Sequence, residues 1–153
     1  MADLANSSLA EDISFLLARA NALSVSAANA ALAPFGLRAR SFSVLACVAD
    51  GGTPTQRELA DFLRLDPSQV VAIVDDLERR GLVERAPDPA DRRANIVLCT
   101  SDGAALTKRA AQAAGDAERA THSTLTEGER PQLLSLLRGL AFPAERSVSR
   151  QES

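Results

Sequence analysis

Residues 55–100 carry helix starts and stops so closely spaced that few folds remain open to them. Thr55-Gln56-Arg57-Glu58 is a capping box, in which the threonine side chain bonds the third helical N–H and the glutamate reaches back to the cap. The helix it starts, with Leu59, Phe62 and Leu63 on its predicted apolar face, must end before Asp66-Pro67. Asp66 is a good N-cap, and Pro67 suits the first helical position, where a missing N–H costs nothing. Gln69, at the third position, completes a second capping pattern. Val70, Ile73, Val74 and Leu77 then line one helical face. Arg79 and Arg80 fall in the last turn, where the helix dipole favours cations, and Gly81 takes the left-handed position beyond it. A short strand over residues 82–85, a turn-rich loop over 87–91 and a returning strand over 95–99 follow.

Two helices joined so tightly must cross at a steep angle, which leaves the second projecting from the core. That is the geometry of a helix-turn-helix, and the hairpin after it becomes a wing. Before this unit, residues 9–33 read as one long helix, with Ile13, Leu16, Leu17, Ala20, Leu23 and Ala27 recurring at spacings of three and four. Pro34 and Gly36 break it, and a short helix carrying Phe42, Leu45, Ala46 and Ala49 stops at Asp50-Gly51-Gly52. After the unit, Thr100 or Ser101 caps an alanine-rich helix through residue 123. Its Ala104, Leu106, Ala110, Ala113, Ala114 and Ala117 allow close approach of a partner. Thr126-Glu127-Gly128-Glu129 is another capping box, and Leu133, Leu134, Leu136, Leu137 and Leu140 give the last helix a wide apolar stripe.

One core in a chain of 153 residues does not easily bury both outer stripes, and pairing with a second copy resolves the surplus. The expected architecture is mainly α with a small β-hairpin wing. It is a single domain over residues 1–153, with a winged helix-turn-helix lobe at about 37–100 flanked by dimerisation helices at about 9–33 and 101–142. The ends, residues 1–8 and 143–153, read as frayed and polar.

Composition narrows the function. Seventeen basic against twenty acidic side chains leave a net charge of −3, far from the strongly basic balance of many nucleic-acid binders. Binding depends on local charge, so the total does not exclude it. With five Phe and no Trp or Tyr, a stacking platform for single strands is disfavoured. No uninterrupted apolar run approaches the roughly 18–20 residues of a membrane span, and the N-terminus lacks the pattern of a signal peptide. Two cysteines make no disulfide framework, and a cytoplasmic setting is expected.

Taken together, Gln56-Arg57-Glu58-Leu59-Ala60, Asp66-Pro67-Ser68-Gln69-Val70-Val71 and Asp75-Asp76-Leu77-Glu78-Arg79-Arg80-Gly81-Leu82-Val83 resemble the winged helix-turn-helix of MarR-type bacterial transcriptional regulators. Asp88-Pro89-Ala90-Asp91-Arg92-Arg93-Ala94 resembles that family's wing signature, and Thr100-Ser101-Asp102-Gly103 its exit into a long dimerisation helix. The resemblance implies a homodimeric, sequence-specific regulator of double-stranded operator DNA, usually a repressor, reading a pseudo-palindrome and responding to a small aromatic or phenolic effector. By the motif match, residues 66–80 form the recognition helix, with Ser68 and Gln69 at base edges and Val71 and Arg57 at the same DNA surface. Glutamine offers paired contacts to adenine in the major groove. Arg92 and Arg93 fall at the basic wing tip, where a narrowed minor groove attracts arginine, and Asp91 matches the acid that pairs with a wing arginine and shapes the tip.

Where many relatives carry basic residues in the recognition helix, this chain has Ala72 and Asp76, with Asp75 beside them. Residues 38–98 hold nine arginines against ten carboxylates, so phosphate neutralisation falls to Arg38, Arg40, Arg57, Arg64, Arg92 and Arg93. Modest affinity and a shallow salt dependence are expected. Phe15, Arg19, Arg40 and Phe42 are candidates for an effector pocket, although the two phenylalanines read more readily as plain core residues. Two other functions stay open: a protein-interaction module that never touches DNA, favoured by the acidic helix, and a thiol-based redox sensor using Cys47 or Cys99. Both cysteines sit in apolar runs, which favours core packing. His122 is the single histidine, no metal-ligand spacing exists, and no cofactor motif or catalytic constellation is present, so neither a metal site nor an enzyme is expected.

Overall fold

The computed structural model describes residues 7–91 and 93–143. The chain divides into two compact units, one up to Glu118 and one from Arg119 onward. In the first, α1 (Ile13–Leu32) follows a short 3-10 turn and is capped by Asp12, whose carboxylate accepts the Phe15 amide at 2.7 Å. A second 3-10 turn, Ala33–Phe35, ends on Gly36 in the left-handed conformation (φ 65°), which glycine adopts without steric cost. It delivers the chain to α2 (Ala39–Ala49), whose first amide is held by the Asn29 side chain of α1 at 2.8 Å.

The central unit forms largely as its punctuation dictates. The Thr55–Glu58 box closes in both directions, with Glu58 N–H on Thr55 Oγ1 at 3.2 Å and Thr55 N–H on Glu58 Oε2 at 2.7 Å, and starts α3 (Gln56–Leu63). Arg64 then turns the chain in the left-handed region at φ 53°, among the described residues the sole non-glycine there. Asp66 caps α4 (Pro67–Arg79) through the Ser68 amide at 2.8 Å, and the chain leaves α4 through Gly81 at φ 69°. Strands β1 (Val83–Pro87) and β2 (Asn95–Cys99) pair antiparallel, Val83 opposite Cys99 and Pro87 opposite Asn95. The segment before α3 joins their outer edge, Val97 N–H bonding the Pro54 carbonyl at 2.8 Å. Thr100 caps α5 (Ser101–Thr121) by accepting the Gly103 amide at 3.0 Å, while its hydroxyl donates to the Gly81 carbonyl at 2.7 Å.

Leu32, Leu37, Val44, Leu45, Val48, Leu59, Val70, Val74, Leu77, Val83, Val97 and Ala110 form one continuous core, drawn from every helix and strand of this unit. Two predicted faces are rotated. On α2 the buried side chains are Val44, Leu45 and Val48, with Phe42, Ala46 and Ala49 half-buried at the margin. On α3, Leu59 and Ala60 are buried and Phe62 is 61% exposed, because three turns or fewer set a periodicity that fits either orientation. The first strand also starts one residue later and runs two residues further than expected, since β2 offers partners as far as Asn95.

The second unit holds the end of α5 and α6 (Glu129–Ala141). The Thr126–Glu129 box closes there, with Thr126 N–H on Glu129 Oε2 at 2.8 Å. Leu134 and Leu140 are each 61% exposed on α6, and in the first unit Ile13, Leu16, Leu17 and Leu23 of α1 are exposed as well. Contrary to the expectation from uninterrupted runs, residues 13–35 are long and apolar enough, by length and composition, to cross a bilayer. Alanines scattered among Asn and Ser raise the average hydropathy without making an unbroken apolar run. The far end of this helix is rooted in the protein core through Leu32.

Candidate nucleic-acid interface

Helix α4 turns Val70, Val74 and Leu77 fully into the core and leaves Ser68, Gln69, Val71 and Ala72 exposed on the opposite side of its first two turns. A helix held by one face in this way leaves its other face open to solvent, which is what insertion into a groove requires. Ser68 is committed at both ends, since its hydroxyl as well as its amide bonds the Asp66 carboxylate. Those bonds, the hydroxyl's first, hold the Asp66 carboxyl below its ordinary range, so the cap is charged at neutral pH. Gln69 completes no reciprocal box; its side chain lines a cleft described below. Arg57 is exposed in the first turn of α3.

The hairpin tip is folded by its two aspartates. Asp88 Oδ1 accepts the Ala90 amide at 2.8 Å and Asp91 Oδ1 the Arg93 amide at 3.0 Å, while Ala94 N–H bonds the Asp91 carbonyl at 2.9 Å. Asp91 therefore shapes the tip through backbone amides, with Arg93 exposed upon it; Arg92 lies outside the described residues.

The acidic side chains of α4, half-exposed, are each paired with an arginine. Arg85 of β1 donates to Asp75 Oδ1 at 2.5 Å, to Glu78, and through Nε to Gln56 Oε1 of α3 at 2.8 Å. Its backbone N–H also bonds Glu78 Oε1 at 3.0 Å. Partial burial disfavours the guanidinium charge, but these hydrogen bonds outweigh it and raise the Arg85 pKa. Asp76 pairs with Arg79 at 2.9 Å and stands 3.6 Å from Arg80. The acidity that weighed against phosphate contact is thus largely compensated locally, and Arg85 lashes α4 to the foot of the wing and to α3. The signal was present in the sequence: Asp75 and Glu78, three apart, share one helix face and call for a cation. Arg80 does more than complement its own helix, since its guanidinium bonds the Gly36 carbonyl at 2.8 Å and the Phe35 carbonyl at 3.0 Å.

A cleft of about 690 Å³ opens beside α4, lined by Val25, Asn29, Arg38, Arg40, Ser41, Gln69, Ala72, Ile73 and Asp76. Of the four residues expected to form an effector pocket, Arg40 lines this cleft. Phe42 packs half-buried against the core, Phe15 is half-buried on α1, and Arg19 is exposed there. Arg38, Asn29 and Ile73 line it unpredicted, because they meet only once α1, α2 and α4 have packed. Cys47 and Cys99 are half-buried, and burial raises both thiol pKa values, with Asp50 adding to the effect at Cys47. Among the described residues no three His, Cys, Asp or Glu side chains gather as a metal site.

A family model described as the MarR family matches residues 35–94. The multiple antibiotic resistance protein MarR of Salmonella typhimurium is 33% identical over 111 residues, covering 72% of this chain and 77% of that protein. A MarR-family transcriptional regulator from Rhodococcus sp. RHA1 superposes with a TM-score of 0.85 at 37% identity, over 90% of this chain and 98% of that one. The chain belongs to the MarR family. The family match covers α2 to the wing tip, and the agreement of the Rhodococcus structure over nearly its whole length extends it to the outer helices. The winged helix-turn-helix and the transcriptional-regulator class read from the sequence therefore stand. The transcriptional repressor NicR of Pseudomonas putida is 37% identical over 97 residues, and the match spans 63% of this chain and 61% of that protein's length. CouR of Rhodococcus jostii RHA1, whose structure is of a complex with p-coumaroyl-CoA, aligns with a TM-score of 0.80 and 38% identity over 90% of this chain and 97% of its own. The transcriptional repressor CouR bound to a 23-mer DNA duplex aligns with a TM-score of 0.81 and 30% identity, over 92% of this chain and 99% of that one.

Proposed function

We propose that this MarR-family protein is a homodimeric transcriptional repressor of the cytoplasm, without enzymatic activity, that binds a pseudo-palindromic double-stranded operator. In this reading Gln69, Val71 and Ser68 of α4 face the major groove, Arg57 supports them from α3, and Arg92 and Arg93 bring the wing to the adjacent minor groove. The observation that carries it is the two-sided construction of α4: one face fully buried, the other exposed from its capped N-terminus onward. Local compensation of Asp75, Asp76 and Glu78 removes the main electrostatic objection, and with it the main reason for a protein-interaction module. The raised thiol pKa values disfavour a cysteine sensor, since the thiolate is the reactive form.

The effector site in this reading is the cleft beside α4. Arg38 and Arg40 supply cations, Asn29 and Ser41 hydrogen bonds, and Val25, Ala72 and Ile73 apolar walls, a combination suited to a small aromatic or phenolic acid or its thioester. A ligand there controls operator binding if it favours one spacing of the paired recognition helices over another. The test is to sequence duplexes retained by the purified protein from a random pool and titrate the enriched one. Inverted half-sites about 10 base pairs apart, centre to centre, are expected. Absence of any sequence preference at low salt defeats the reading.

A further inference from the structure

The end of α1 and the end of α4 meet at one side chain. The 3-10 turn that closes α1 leaves the Phe35 and Gly36 carbonyls facing outward, and the forked guanidinium of Arg80, the C-cap residue of α4, occupies both at 3.0 and 2.8 Å. Two helix C-termini, each the negative end of a dipole, thereby share one cation. The joint is fitted on both sides. Gly36 sits at φ 65°, and a Cβ there would lie 3.2 Å from Arg80 Nη2, so the turn leaves room for the guanidinium and little more. Asp76, one turn back on α4, stands 3.6 Å from Arg80 and steadies it from its own helix. Immediately below, Leu32 and Leu37 are buried in the core and bonded to each other through Leu37 N–H and the Leu32 carbonyl at 3.2 Å, so the carbonyls Arg80 grips belong to a rigid corner. The same C-terminal half of α4 is tied on another side, through Asp75 and Glu78 to Arg85, to the wing and α3. Arg80 thereby joins the C-terminal end of α4 to the turn that closes the long helix α1.

We infer that Arg80 is a positioning residue for operator recognition: it touches no DNA, and it holds the reading face of α4 at the angle that lets base edges be contacted. This rests on the DNA-binding reading above. A lysine keeps the charge but cannot span two carbonyls in a fixed plane, so charge and geometry can be separated.

The experiment measures fluorescence anisotropy of wild type, Arg80→Lys and Arg80→Ala on two labelled duplexes, the one the wild type selects from a random pool and a scrambled duplex of equal length, over a range of salt. A positioning role predicts that Arg80→Ala loses about ten-fold or more on the selected duplex, with Arg80→Lys intermediate. Affinity for the scrambled duplex then stays within about two-fold and the salt slope is unchanged, because no phosphate contact has been removed. Three results overturn the inference: selected-duplex affinity within about two-fold of wild type, equal losses on both duplexes, or a salt slope shallower by about one, which marks a direct phosphate contact. Should Arg80→Ala fail to fold, Arg80→Lys decides on the same ratio. Failure of the wild type to select any duplex overturns the DNA-binding reading and this inference together, and is recognised before a variant is made.

Discussion

Gly103 shows how a single residue sets the approach of two elements. It is buried in the first turn of α5, where a Cβ would run into the Leu82 carbonyl and stand 3.0 Å from the Cys99 sulfur. The Leu82 carbonyl already accepts the Thr100 amide at 3.2 Å, so it has no freedom to retreat. Gly103→Ala gains helix propensity, worth about 1 kcal/mol in an open helix. Here overpacking opposes it with about 1–3 kcal/mol or more, and backbone rather than a flexible side chain must shift. A net loss of stability is expected, read as a lower urea midpoint with an unchanged slope; a rise in midpoint would show that α5 can move off the hairpin. In the sequence Gly103 was legible as part of an exit motif, yet the reason for glycine was not. It depends on Leu82, twenty-one residues earlier, which local patterns do not report. The same holds for Arg80 and Arg85, whose partners lie 44 and 29 residues away. Their positions were read from local rules as a dipole complement and a strand residue, and the longer reach emerges only from packing.

At the scale of elements, most signals that act within four residues are met by the structure, the reciprocal bond expected from Gln69 being the exception. The Thr55, Asp66 and Thr126 caps and the Gly81 exit are all made, because each is a contest between nearby backbone donors and one side chain. Orientation is less legible: the spacing puts Phe62 on the apolar face of α3, and the structure leaves it largely exposed. The turn between α3 and α4 carries a similar tension. Arg64 adopts the left-handed conformation at a cost of roughly 1–2 kcal/mol for a side chain with a Cβ. Glycine removes that cost but widens the unfolded ensemble by about 0.5–1 kcal/mol, so Arg64→Gly is expected to stabilise the fold by up to about 1.5 kcal/mol. If arginine is retained there as a phosphate contact, the same variant binds its selected duplex more weakly, with a salt slope shallower by about one. Thermal unfolding and anisotropy on one preparation read both effects. Higher stability with unchanged binding would remove Arg64 from the interface, and lower stability would remove the strain argument.

At the scale of the molecule, the core of the first unit closes well, yet two helices keep their apolar sides outward. Ile13 is 69% exposed at the start of α1, and on α6 Leu133, Leu134, Leu136, Leu137 and Leu140 all count among the exposed apolar side chains. Scattered exposed leucines are ordinary, but five within eight residues of one helix are a patch. Each leucine taken from water contributes about 1.5–3 kcal/mol, enough in sum to outweigh the entropy of association when two copies bury the same surfaces. In the proposed reading, two-fold pairing also answers a demand of the reading head, since one recognition helix reads half a palindrome and the second must be held one DNA turn away. Leu134→Asp and, separately, Leu16→Asp alter exposed positions, so each single chain should keep its fold and its far-ultraviolet dichroism. Sedimentation equilibrium should then find a dimer for the wild type and a shift towards monomer for each variant, with the thermal midpoint of the wild type alone rising with protein concentration. Operator affinity should fall in step with dimer content, because each half-site bound singly loses the gain of simultaneous engagement. A variant that stays dimeric clears its helix of the interface; a wild type that is monomeric at micromolar concentration would leave both stripes without a partner and the paired-helix model without a basis.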